Sequence, residues 1–386
     1  MKNVKKIVAM AMAAALCVVS LTACGGSSDA SATFVIGGSG PLTGPAAVYG
    51  IAVKNGAQIA VDEINAAGGV NGMTLELNFQ DDEHDAEKAV NAYNTVKDAG
   101  AKVFLGTVTS TPCEAVVEKT KVDNMFQLTP SGSSVKAVQY ENAFRICFSD
   151  PGQGTAAAQY IGQDLGLKKV AIIWDNSDVY SNGIYEKFKA EAANAGLEIV
   201  SEQSFQGADN KDFNTQLIAV NEAAPDIVFL PIYYQAAALI LQQANQAGFD
   251  LKFFGCDGLD GIIGQLEGDA ALAEGVMLLT PFVADDPDEK VQSFVKTYQE
   301  KFNEVPNQFA ADAYDGVYVI KAALEDAGVK DASVAVSELC DLLKASMVKI
   351  TVEGVTGTMT WTADGECAKT PMGMVIKDGN YTAIAD

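Results

Sequence analysis

The sequence predicts an α/β protein of two lobes, each a largely parallel β-sheet flanked by helices. Three observations carry this. Apolar strand-like runs alternate with helix-spaced stretches from Thr33 onward, the pattern of sheets covered on both faces. The 386 residues, 48% hydrophobic, exceed what one ordinary core takes up. A turn-rich break at residues 149–152 and another at Pro281 divide the pattern into blocks.

The elements follow in order. Residues 33–38 read as a buried strand ending in glycines. Residues 49–67 place Ala57, Ala60, Val61 and Ile64 at helix spacing, and Gly68-Gly69 stop them. Residues 74–79 alternate as a strand, 85–99 are helical and 102–106 form a strand again. Further strands are expected at 126–128, 170–174, 198–201, 227–230, 252–255 and 275–279. Helices are expected at 154–165, 183–195, 213–223 and 236–247, then 288–302 and 309–327, with hairpin-like segments at 358–361 and 372–376. The lobes are expected as 33–148 with 281–353, and 149–280 with 354–386.

The N-terminus carries a different signal. Lys2, Lys5 and Lys6 precede an apolar run over residues 7–19 and the sequence Leu21-Thr22-Ala23-Cys24. A basic start, a short apolar run and small residues make residues 1–23 an export signal. The run is short for a bilayer span, although a buried helix or a membrane anchor would share its composition. Leu-Thr-Ala-Cys resembles the bacterial lipobox, which implies that Cys24 is acylated. Residues 24–32, rich in Gly and Ser, then read as a flexible tether. Such an anchor holds a domain beside a membrane without spanning it.

Beyond residue 23 the chain has 23 basic against 50 acidic side chains, a formal charge of −27. That surface repels phosphate backbones, so nucleic acid is not an expected partner. Cys113, Cys147, Cys256, Cys340 and Cys367 form no C-x-x-C pair. Their odd number requires a free thiol, and buried or free thiols are expected rather than a disulfide framework. Neither a zinc site nor any cofactor is expected from these spacings.

Catalysis finds little support. The single histidine, His84, lies in the acidic turn 81–85, where helix capping is the simple role. Ser133 and Lys136 match S-x-x-K without its companion motifs. The glycine-rich stretch 38–44 is neither G-x-G-x-x-G nor a P-loop. No catalytic residue is assigned.

Binding loops are better supported. Ligands of open α/β sheets sit at the carboxyl ends of strands. Residues 106–112 offer hydroxyls and Pro112 at a helix start, where free N–H groups suit a carboxylate. Residues 129–134 offer hydroxyls and exposed backbone, and residues 255–258 place Asp257 for an ammonium group. Ordinary helix capping would explain each hydroxyl loop by itself.

Pro41-Leu42-Thr43-Gly44, Tyr49-Gly50, the run 62–72, Asp81-Asp82, Leu128-Thr129-Pro130-Ser131, Phe144-Arg145, Lys211-Asp212-Phe213, residues 254–258 and Thr360-Trp361 together resemble the branched-chain amino-acid binding proteins. The resemblance spans the mature chain. It implies the two-lobe type I periplasmic-binding-protein fold with a three-strand hinge. It also implies a ligand set. Ser110 would bind the ligand α-carboxylate, Ser131 would contribute backbone, and Ser133 would meet both carboxylate and ammonium. Asp257 would pair with the ammonium, and Tyr49, Tyr180 and Tyr233 would line the pocket. Tyr180 lies in a loop of unusual length. The family often carries a Cys pair where this chain has His84 and Thr109, so that disulfide should be missing.

The resemblance therefore implies a lipid-anchored monomer on the outer face of the cytoplasmic membrane. It would capture a small amino acid of the Leu/Ile/Val type and hand it to the permease subunits of an ABC importer. The same fold around an amide, urea or aromatic acid is an alternative. A hydrolase using Ser133 and Lys136 is another. A sensory ectodomain is a third, disfavoured because no membrane segment follows Asp386.

Overall fold

A computed structural model describes residues 32–384, apart from 208, 267 and 370. The expected export signal, Cys24 and nearly all of the expected tether lie outside the described residues. Five strands make the first sheet: β1 (Thr33–Gly40), β2 (Thr74–Asp81), β3 (Val103–Gly106), β4 (Gln127–Thr129) and β5 (Ala143–Arg145). Their order is β2-β1-β3-β4-β5, and every pairing is parallel. Helices α1 (Ala47–Ala66), α2 (Ala86–Asp98) and α3 (Ser110–Asp123) connect them. Strand β3 is buried along its whole length, as a parallel strand with both faces covered must be.

The second sheet takes β6 (Lys169–Asp175), β7 (Glu198–Phe205), β8 (Ile227–Leu230), β9 (Phe253–Gly255) and β10 (Met277–Thr280). Its order is β14-β13-β10-β9-β8-β6-β7. The late hairpin β13 (Met372–Lys377) and β14 (Asn380–Ala383) adds an antiparallel edge. Helices α4 (Asp150–Gln159), α5 (Val179–Ala192), α6 (Asn214–Glu222), α7 (Tyr234–Gln246) and the single turn α8 (Ile262–Gln265) belong to this lobe.

Helices α9 (Glu289–Phe302), α10 (Gln308–Asp326) and α11 (Val336–Met347) return to the first lobe. There Phe294 packs on Tyr314, and the Tyr314 hydroxyl donates to Glu63 on α1 at 2.6 Å. The sequence reading omitted α11 and β5. It started the α3 helix at Pro112 rather than Ser110, and the α4 helix four residues late.

The expected last return at residue 354 needs correction. The Val355 and Thr356 amides donate to Asp315 on α10 at 2.8 and 2.9 Å. Trp361 Nε1 donates to the Arg145 carbonyl at 2.7 Å, and the Arg145 amide donates to Gly365 at 3.0 Å. Lys369 pairs with Asp312 on α10 at 2.6 Å, both side chains buried. The chain thus stays on the first lobe through Lys369. Strands β11 (Val352–Gly354) and β12 (Gly357–Met359) form a hairpin there.

Candidate ligand-binding site

The site lies between the lobes, at the carboxyl ends of β3, β4 and β9. Helix α3 begins immediately after β3, with Thr109 as its N-cap. Ser110 therefore occupies its first turn, where free N–H groups and the helix dipole favour negative charge. Ser134 N–H donates to Ser110 Oγ at 3.2 Å, and Ser133 Oγ lies 3.4 Å from Ser110 Oγ.

The loop after β4 is held from behind. Arg145 is fully buried, and its guanidinium donates to the carbonyls of Gly132, Ser133 and Ser134 at 3.3, 2.6 and 2.9 Å. Its Nε lies 3.2 Å from Glu366. Ser131 Oγ donates to the Val108 carbonyl at 2.6 Å, tying this loop to the one after β3. The Ser131 hydroxyl is thus occupied within the protein.

Asp257 opens a short 3-10 turn after β9. The Tyr180 hydroxyl donates to Asp257 Oδ1 at 2.7 Å and accepts from Gly258 N–H at 2.9 Å. A β-carbon at position 258 would lie 2.6 Å from that hydroxyl, so glycine is required by close approach. Burial pushes the Asp257 carboxyl up to about 7, against the hydrogen bonds from Tyr180, Gln153 and Gly258.

Aromatic rings form the remaining wall. Tyr233 stacks on Tyr180 at 4.7 Å, lies 5.5 Å from Tyr49, and Tyr49 lies 4.3 Å from Phe309. All seven pocket residues named from the sequence line one cavity of about 220 Å³, including its mouth, together with Val108, Thr109, Gly258 and Phe309. Among these lining residues Asp257 is the only carboxylate, and none carries a positive charge. A wider cleft of about 840 Å³ adjoins it, sharing Tyr233 as a wall.

Sequence reasoning missed Phe309, Arg145 as a support, and Gln153, whose Oε1 accepts from Asp257 N–H at 3.2 Å. The missing disulfide has a replacement. His84 Nδ1 lies 2.8 Å from Thr109 Oγ1, so the two positions touch through a hydrogen bond. Lys136 pairs with Glu114 at 3.3 Å. Cys113, Cys147, Cys256, Cys340 and Cys367 carry free thiols. Among the described residues no helix is long and apolar enough to cross a membrane.

A family model described as periplasmic binding protein matches residues 33–379. The leucine-, isoleucine-, valine-, threonine-, and alanine-binding protein of Pseudomonas aeruginosa is 30% identical over 342 residues, 88% of each chain. The chain belongs to the periplasmic binding protein family. Leu/Ile/Val-binding protein homolog 3 of Brucella melitensis is 31% identical to this periplasmic binding protein over 367 residues, 94% of each chain. The crystal structure of LivJ, a branched-chain amino acid transporter substrate binding protein of Streptococcus pneumoniae in complex with isoleucine, superposes with a TM-score of 0.82. It is 29% identical and covers 91% of this chain and 98% of its own. A benzoate-bound solute binding protein of R. palustris, 21% identical over 92% of this chain and 98% of its own, shares the fold with a TM-score of 0.80. The type I periplasmic-binding fold and the two lobes expected from the sequence are those of this family.

Proposed function

We propose that this periplasmic binding protein is the substrate-binding component of an ABC importer and captures a small amino acid of the Leu/Ile/Val type. One observation carries the reading. A single uncompensated carboxylate, Asp257, faces a cavity whose opposite wall is the Ser110 helix start and the serine loop. An acid on one side and amide and hydroxyl donors on the other match the two charges of a zwitterion. Tyr49, Tyr233 and Phe309 supply apolar surface for an aliphatic side chain. The relatives' printed ligands, isoleucine among them, support the same class.

In this reading Ser110, Ser131 and Ser133 receive the ligand on the first lobe, and Asp257, Tyr180 and Tyr233 close on it from the second. Closure is favoured because the ligand binds the closed state better than the open one. The closed form is what the permease subunits receive. Export and acylation at Cys24 complete the proposal on the strength of the N-terminal sequence and its lipobox resemblance, and a monomeric state on that of the family resemblance.

Titration calorimetry with leucine, isoleucine, valine and a wider amino-acid panel tests the ligand class. Saturable heat with branched aliphatic amino acids, lost in Asp257→Ala, is expected. Heat only with an aromatic acid, amide or urea, unaffected by that substitution, would overturn it. Radiolabelled palmitate should enter the exported wild type and not Cys24→Ala.

A further inference from the structure

One short turn of the second lobe carries both the Asp257 carboxyl group and a contact surface for the first lobe. It runs from Asp257 to Gly261, just after β9. Asp257 lines the cavity, while the rest of the turn meets the start of α10. Asn307 caps that helix, and its side chain accepts from the Ala310 N–H at 3.1 Å. The Gln308 N–H is satisfied from the other lobe: it donates to Asp260 Oδ2 at 3.1 Å. The Gln308 Nε2 donates to the Asp257 carbonyl at 3.3 Å and to Asp260 Oδ2 at 3.4 Å. Gly261 approaches α1 so closely that a β-carbon there would lie 3.0 Å from Val48 Cγ1. Behind the turn, the Tyr381 hydroxyl on β14 accepts from the Gly261 N–H at 3.0 Å, which fastens the turn to its own sheet.

Gln308 and Asp260 are both buried, and neither lines the cavity, although the next residue, Phe309, does. A carboxylate at the first turn of a 19-residue helix is favoured by the free N–H groups and the helix dipole. Against that gain stands a cost. Asp260 Oδ1 is buried without a hydrogen-bond partner, so this oxygen gives up water with no return. Gain and cost oppose each other, which suits a contact that must form and release.

We infer that Gln308 and Asp260 form a latch between the lobes, which sets how strongly the cleft favours its closed form. The inference rests on the closing-lobe reading of the proposed function and deepens it. Asp257 meets the guest on one side of the turn, and α10 holds the turn on the other, so binding and latching favour the same state. Neither latch residue reaches the cavity, so loss of the latch lowers the closed population and weakens every guest by the same factor.

The test is a polarity swap read by calorimetry with leucine, isoleucine and valine. Gln308→Leu removes the side-chain donor, and all three affinities should fall together by about two- to tenfold. Gln308→Glu sets a second carboxylate against Asp260 and should cost about tenfold or more. Adding Asp260→Asn to Gln308→Glu exchanges donor and acceptor and should recover most of that loss, a coupling that a merely structural role would not give. Losses that differ among the three guests, or a double variant no better than Gln308→Glu, would overturn the inference. If Gln308→Glu does not fold, Gln308→Leu decides: unchanged affinity, or a loss confined to one guest, ends the idea. A wild type that binds no amino acid sinks the amino-acid reading, and small-angle X-ray scattering of the ligand-free protein then decides the latch separately. Gln308→Glu must be more extended than the wild type, with the double variant returning toward it, and equal radii overturn the latch.

Discussion

The Tyr49 hydroxyl, on the first lobe, donates to the Gly258 carbonyl oxygen, on the second, at 2.6 Å. It also accepts from Tyr234 N–H at 3.2 Å. Both bonds join the lobes directly beside the cavity and need no ligand. Tyr49→Phe removes them while keeping the ring. Affinity should fall by about two- to tenfold for every ligand alike, the worth of an ordinary hydrogen bond. The dissociation rate should carry most of the change. Stopped-flow fluorescence on two ligands of different affinity checks this; a loss confined to one ligand would speak for direct contact instead.

Asp257 gives the site a pH dependence of known sign. Its carboxyl is raised to about 7 by burial, from an ordinary value near 3.8. In the ligand-free protein the folded state therefore holds this proton more tightly than the unfolded chain. Its contribution to stability is greatest below the unfolded value and declines as pH rises from about 4 to about 7. An ammonium group reverses the preference by favouring the ionised form. Binding below pH 7 should release a proton, and affinity should rise from pH 5 to 7.5. Calorimetry in buffers of different ionisation enthalpy measures the release. Asp178, Asp260 and Asp312, each raised to about 6 by burial, titrate in the same window. The difference between wild type and Asp257→Asn isolates the one carboxyl.

The Asp312–Lys369 pair is buried on both sides. Lys369→Met should strand a carboxylate and cost about 3–5 kcal/mol, whereas Lys369→Met with Asp312→Leu should recover most of that loss. Urea unfolding of the wild type and the two variants checks it. A double variant no better than the single one would show that the pair's geometry matters more than its charge.

The contact between His84 and Thr109 suggests a restored cross-link. His84→Cys with Thr109→Cys should close a disulfide under oxidising conditions and stabilise by about 3 kcal/mol through the loop it closes. Tm should rise in the oxidised protein and fall back on reduction. An unchanged Tm, with free thiols by mass spectrometry, would show that the backbone there holds the two positions too far apart.

Much of this arrangement could be read from the chain itself, for local reasons. Ser110, Ser131, Ser133 and Asp257 stand just after apolar strands, where chain order alone predicts a ligand edge. Tyr180 reaches the cavity despite its unusual loop because Asp178 caps α5 and fixes where that helix begins. Phe309 was not legible. It sits in the first turn of α10, and nothing in its neighbours distinguishes a pocket wall from a core position. Arg145 read only as part of a motif, since its partners are backbone carbonyls that leave no trace in composition. Strand β5 has three residues, too few to display a period of two. The late crossing at Lys369 depends on Asp312 and Asp315, more than forty residues upstream, and no local pattern foretells such a pairing.

Arg145 ties the serine loop, Glu366 and Trp361 into one block around a buried guanidinium. The first lobe is then a preset template, on which, in the proposed function, the second lobe closes as a jaw. A guest landing on the template meets groups already ordered, so little entropy is lost at encounter. The arrival rate should thus be nearly common to all guests of this class, and discrimination among them is deferred to how long the jaw stays shut.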